Sequence, residues 1–169
     1  MTGTAIQIVN FLMEEDKQAL WDIEPHKERR SLSQNAYYWV LCEKVAVKTQ
    51  VQTAVIHNIH LRELHLVERI DDKPITVYLP DTDEAENKTL QSVTYHLAPT
   101  RSVKTGNDGI TYRAYVMLRG SSDLNTEEMT ALLDLMIQDA KQHDIEVMTP
   151  DQLAHLRELE KQRNGKKHN

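Results

Sequence analysis

The stretch from Arg29 to Cys42, RRSLSQNAYYWVLC, constrains the fold more than any other part of the chain. Two arginines lead into serines suited to cap a helix, and the helix that follows has a polar start and an aromatic middle. An oxygen from Ser31 or Ser33 can satisfy a free N–H of the first helical turn. Arg30, Gln34 and Tyr38 recur at intervals of four and share one side of that helix, while Asn35 and Trp39 share the neighbouring strip. From Ala36 to Cys42 the sequence is apolar nearly all round, which marks a central core helix with the arginines as a solvated lead-in. The same pattern also suits a nucleic-acid strand: cations meet phosphate, and a flat ring meets a base. Pattern alone leaves both readings open.

A chain of 169 residues that is 40% hydrophobic is long enough for one domain with a real core. The single cysteine, Cys42, lies in the apolar helix and reads as a small buried hydrophobe; no intrachain disulfide is possible, which fits a reducing cytoplasm. No signal-peptide pattern and no apolar run near about 18 residues is seen, so the expectation is a cytoplasmic protein without membrane contact. The net charge of −6 opposes nucleic-acid binding in total. Its distribution is less adverse. Lys27, Arg29, Arg30, Lys44 and Lys48 cluster in one stretch, Arg101, Lys104, Arg113 and Arg119 in another, and the last residues 161–169 form a basic tail.

Along the chain, Thr4–Val9 reads as a short strand and Phe11–Trp21 as a helix ended by Pro25. The central helix spans Leu32 to about Lys48, and Gln50–Leu66 carries a second apolar period that includes Asn58. Pro74–Leu79 is β-branched and extended, and Asp81–Gln91 is a short helix with acids at its start. Ser92–Leu97 and Thr100–Thr105 are extended, Gly106–Gly109 is a turn, and Ile110–Leu118 is a strand. In that strand Thr111, Arg113, Tyr115, Met117 and Arg119 share a face that is either a wet sheet surface or a platform for a nucleic-acid strand. Asn125 and Glu128 form a capping-box pattern, and Thr149-Pro150-Asp151-Gln152 repeats it before Leu153, Leu156 and Leu159. The apolar stripe Met129, Leu132, Leu133, Met136, Ile137, together with Leu153, Leu156 and Leu159, exceeds what one small sheet needs and points to a homodimer. The fold class is α+β, with helices flanking a small antiparallel sheet in one compact domain over 1–160 and a basic flexible tail after it.

Chemistry-bearing motifs are scarce. No phosphate loop, dinucleotide fingerprint, zinc knuckle or serine elbow occurs. His57 and His60 are three apart and can share a face, and with His65, Asp81, Asp83 and His96 they supply the alternative of a small metal-dependent nuclease. None of their spacings is diagnostic, so no catalytic residue, metal or cofactor is assigned. A protein-interaction module without nucleic acid is a third reading, favoured by the acidic total.

The run Arg30-Ser31-Leu32-Ser33-Gln34-Asn35, with Trp39 five residues after Gln34, resembles the signature of the NinB/Orf family of phage recombination proteins. Gly120-Ser121-Ser122 with Thr126, Glu128 and Met129, and the run Asp144–Pro150, are similar to two further stretches of the form found in phages of low-GC Gram-positive bacteria. The resemblance covers roughly 27–155 and is carried by its two ends. It implies a non-catalytic single-stranded DNA-binding recombination mediator, homodimeric, working with host single-strand-binding protein and recombinase. Carried over to this chain, it implies Lys27, Arg29, Arg30, Ser31, Gln34, Asn35, Trp39 and Lys44 at the DNA, joined by Arg101, Lys104, Arg113 and Arg119 from the basic strands. The family pattern has a basic residue where this chain has Asp123.

Overall fold

The computed structural model describes residues 33–165, with side chains as far as 162, all within the compact unit Leu32–Asn169. The expected strand Thr4–Val9, the helix Phe11–Trp21 and the site residues Lys27, Arg29, Arg30 and Ser31 lie outside the described residues, as does 166–169. Among the described residues the architecture is α+β: five α-helices and two small antiparallel sheets. No helix there is long and apolar enough to cross a membrane.

Helix α1 (Gln34–Thr49) begins at Ser33, whose hydroxyl accepts from the Ala36 N–H at 3.2 Å. Its buried residues Tyr37, Tyr38, Leu41, Cys42 and Val45 recur at helical spacing and form one wide apolar stripe. That stripe lies along α4 (Thr126–Gln142), which buries Met129, Leu132, Leu133, Met136, Ile137 and Ala140. The capping box is complete, with Asn125 and Glu128 bonding reciprocally. Between the two in sequence come α2 (Thr53–Leu64) and the hairpin β1 (Arg69–Ile70) and β2 (Lys73–Pro74). The hairpin turns on Asp71 and Asp72, both at positive φ, as a two-residue turn of matching twist requires.

The larger sheet has the order β3 (Thr76–Pro80), β5 (Thr111–Leu118), β4 (His96–Thr105), all antiparallel, with α3 (Asp83–Gln91) joining β3 to β4. The two expected extended pieces are one strand with an irregularity between Pro99 and Val103. Alternation gives the sheet two faces. Ala98 and Leu118 join the core of α1, α2 and α4. On the opposite face Leu97 and Tyr115 are buried apart from that core, beside Arg62 and α3. The outer half of β4, Arg101–Thr105, is exposed. After β5 a 3₁₀ turn, Ser121–Asp123, leads to α4, and α5 (Pro150–Gly165) closes the described chain. The Thr149/Gln152 cap forms as expected, and the helix runs through 161–165, where a flexible tail was expected.

Three expectations change with burial. Of the expected Arg30, Gln34 and Tyr38 strip, the two described residues turn inward: Gln34 and Tyr38 are both 0% exposed. Gln34 takes the Thr130 hydroxyl proton on Oε1 at 2.9 Å, and its backbone N–H reaches Glu160 at 3.3 Å, so it ties α1 to α4 and α5. The stripe Met129–Ile137 is consumed by this chain's own core and is no surplus surface for a partner. The Thr111/Arg113/Tyr115 face is no open platform, since Tyr115 is buried and Arg113 is bonded across to Asp81. Gln34 therefore behaves as a core polar group. Gln34→Ala should lower unfolding free energy by roughly 1–3 kcal/mol, because it removes one acceptor of the Thr130 hydroxyl and empties the space of a fully buried side chain. Denaturant melts matching wild type within about 0.5 kcal/mol would place Gln34 back at the surface.

Candidate functional site

Trp39 is half-buried on the strip next to Tyr38, and Asn35 beside it is exposed. The indole packs against the His57 ring at 4.5 Å between centroids, tilted by 42°, and meets the Tyr38 ring edge-on at 5.6 Å. It forms one wall of a pocket of about 340 Å³ whose other lining residues are Thr53, Ala54, His57, Ser92, Val93, His96, Gly120, Ser121 and Ser122. Two stretches far apart in sequence, the aromatic middle of α1 and the Gly120-Ser121-Ser122 turn, thus meet at one place.

The two histidines of this pocket have assigned roles. Asn58, buried on α2, directs its amide nitrogen at the carbonyls of Ala54, Leu90 and Ser92, at 2.9, 2.7 and 2.8 Å. Three carbonyl acceptors fix the carboxamide orientation. Its Oδ1 then faces His96 Nδ1 at 2.7 Å, so Nδ1 must carry the proton and donate. His96 Nε2 is left as a bare acceptor. His57 Nδ1 lies 2.9 Å from the Tyr38 hydroxyl. A neutral phenol is a better donor than an imidazole N–H, so Tyr38 donates and the remaining N–H of His57 is at Nε2. Burial first, then the neighbouring histidines, pushes His57 down to about 3; burial likewise lowers His96 against the opposing pull of Asp123. Burial raises the Tyr38 phenol and holds the Cys42 thiol up at about 12, so Cys42 is a protonated core residue in contact with Met136 and no nucleophile.

Of the expected DNA-binding residues within the described range, only Trp39 lines this pocket. Lys44 lies at a separate surface depression with Val40, Val47 and Ile145. Arg113 makes a two-pronged bond to Asp81, at 2.7 and 3.1 Å, and a third to the Thr100 carbonyl. Arg119 is paired with Glu128 of the capping box. Both arginines are therefore structural ties, which is why a basic count over 101–119 overstated the free charge. Lys104 sits 3.4 Å over the exposed Tyr78 ring, and Arg101 is exposed on the same strand. The histidines do not form a metal centre: among the described residues no three His, Cys, Asp or Glu are placed to hold an ion. His60 faces Asp139 at 3.5 Å, which also neighbours His143 at 3.4 Å, and Asp81 is taken by Arg113. Asn58 was legible only as a polar residue on an apolar helical period, and that mismatch was the signal for it. No family model, curated protein or solved structure matches this chain.

The depressed histidines make stability depend on pH in a definite direction. In the unfolded chain they take protons near pH 6.5, while folded His57 resists down to about 3 and His60 and His96 are lowered too. The unfolded state binds more protons in that window, so stability is full above about pH 6.5 and falls as acid is added, by about 1.4 kcal/mol per pH unit for each fully resisting histidine. Urea titrations should show unfolding free energy at least about 2 kcal/mol lower at pH 5 than at pH 7. Equal values at the two pH values would contradict the buried, neutral assignment.

Proposed function

We propose that this protein is a non-catalytic single-stranded DNA-binding protein of phage recombination, of the NinB/Orf kind, with its DNA site at the Trp39 pocket. One observation carries the reading: Trp39 and Gly120-Ser121-Ser122, from two of the three separate stretches on which the family resemblance rests, line the same pocket. A half-exposed indole flanked by small and hydroxylic side chains suits a base, which stacks on an aromatic face in a sequence-tolerant way. Arg101 and Lys104 on the exposed half of β4 offer charge for phosphate. With Arg113 and Arg119 tied up in ion pairs, the electrostatic part of binding is modest. Action with host single-strand-binding protein and recombinase, in a homodimer, follows from the resemblance alone.

Binding of fluorescent oligonucleotides over a salt series tests this. Single strands should bind more tightly than duplex, with log affinity falling against log salt by about 0.7 per phosphate neutralised, and for few phosphates. Trp39→Ala should keep the fold and lose about 1–3 kcal/mol of single-strand affinity, while Trp39→Phe retains most of it. Equal affinity for duplex and single strand, or a Trp39→Ala protein that binds as wild type, defeats the proposal.

A further inference from the structure

The Trp39 pocket has no lysine, arginine, aspartate or glutamate among its lining residues. Its two imidazoles, His57 buried and His96 half-buried, are both lowered and neutral at ordinary pH. A phosphate entering it finds no cation and would lose its hydration without compensation. A flat, uncharged group finds an aromatic wall and hydrogen-bonding groups whose roles are already fixed.

Gly120 adds an independent observation. Its φ of −74° and ψ of 162° are open to any residue, so the backbone does not require glycine. What favours it is space: a Cβ there would lie 3.3 Å from His96 Nε2 and 3.4 Å from His96 Cδ2. The first is tighter than most real Cβ contacts and the second is at the edge of ordinary contact, so the added methyl would displace the imidazole by a few tenths of an ångström and cover the one nitrogen of His96 that has no proton. The missing side chain leaves that acceptor open to the pocket. The polar work around it has the same result, since Asn58 commits its nitrogen to three carbonyls and its oxygen to His96 Nδ1.

We propose that this pocket seats a single unstacked nucleobase of a bound strand, its face on Trp39 and an N–H of its edge donating to His96 Nε2, with Asn58 as the residue that positions His96. The inference rests on the single-stranded DNA reading and assigns the base, not the phosphate, to this pocket. Every natural base but cytosine and adenine carries a ring N–H, and those two offer exocyclic N–H groups, so the pocket selects bases as a class.

The test compares an oligothymidylate of roughly 15 nucleotides with an abasic strand of the same length. Wild type should bind the oligothymidylate roughly tenfold more tightly. Gly120→Ala, checked to melt as wild type, should lose most of that difference and leave the abasic affinity unchanged. Ala54→Leu, which fills the pocket from α2, should do the same and serves if Gly120→Ala does not fold. Equal affinity of wild type for both strands overturns the base pocket and leaves single-strand binding through phosphate standing. If neither strand binds, the DNA reading has failed by itself. Thymidine titrated to millimolar levels into a Trp21→Phe protein then decides the pocket: saturable quenching of Trp39 supports it, and its absence overturns it.

Discussion

The carboxamide of Asn58 is the interaction on which the arrangement depends. It is 1% exposed and bonds to the end of α3, to the residue after it, to its own helix and to the first residue of β4. Arg62, one turn further along α2, continues the seam: its guanidinium reaches the Leu97 carbonyl, Glu86 and Thr89. Residues four apart on a helix share a strip, so one strip of α2 supplies both ties. Buried polar groups of this kind are costly unless fully bonded, and fully bonded they specify a single arrangement. The seam fastens α3 to α2 by hydrogen bonds and an ion pair, and it adds to the contact that Ala98 of β4 makes with α2 in the apolar core.

The seam also determines what the pocket offers. By holding His96 in one tautomer it leaves a lone pair beside Gly120, and by anchoring Ser92 it sets a second wall. From α1, Tyr38 fixes His57, and His57 in turn backs the Trp39 ring. On the proposed reading, an uncharged pocket with one indole and two imidazoles in its lining, on a chain of net charge −6, suits a base better than a phosphate. On that reading overall acidity limits phosphate attraction, and discrimination between single strand and duplex would fall to an unstacked base.

Much of the scaffold was legible because its signals are local. The serine cap of α1, the Asn125/Glu128 box, the Thr149/Gln152 cap and the apolar periods of α1 and α4 act within a few residues of themselves. What escaped depends on distant partners. Gln34 looked like a solvent-facing helix start, and only Thr130, far along the chain, makes it a core residue. Arg113 and Arg119 looked like free cations until Asp81 and Glu128 closed on them. The hairpin at Asp71-Asp72 carries no glycine to announce its positive φ. Trp39 is half-buried and Asn35 exposed, on the strip beside the buried Gln34 and Tyr38, as the four-residue spacings place them.

Nitrogen-15 NMR of the histidine rings tests the central claim most directly, because it reads the tautomer of His96 and the environment of its free nitrogen together. At pH 7 His96 should be protonated at Nδ1 with Nε2 bare, and addition of oligothymidylate should shift the Nε2 resonance as an N–H donor arrives. A His96 protonated at Nε2, or an Nε2 signal indifferent to saturating oligothymidylate, would contradict it.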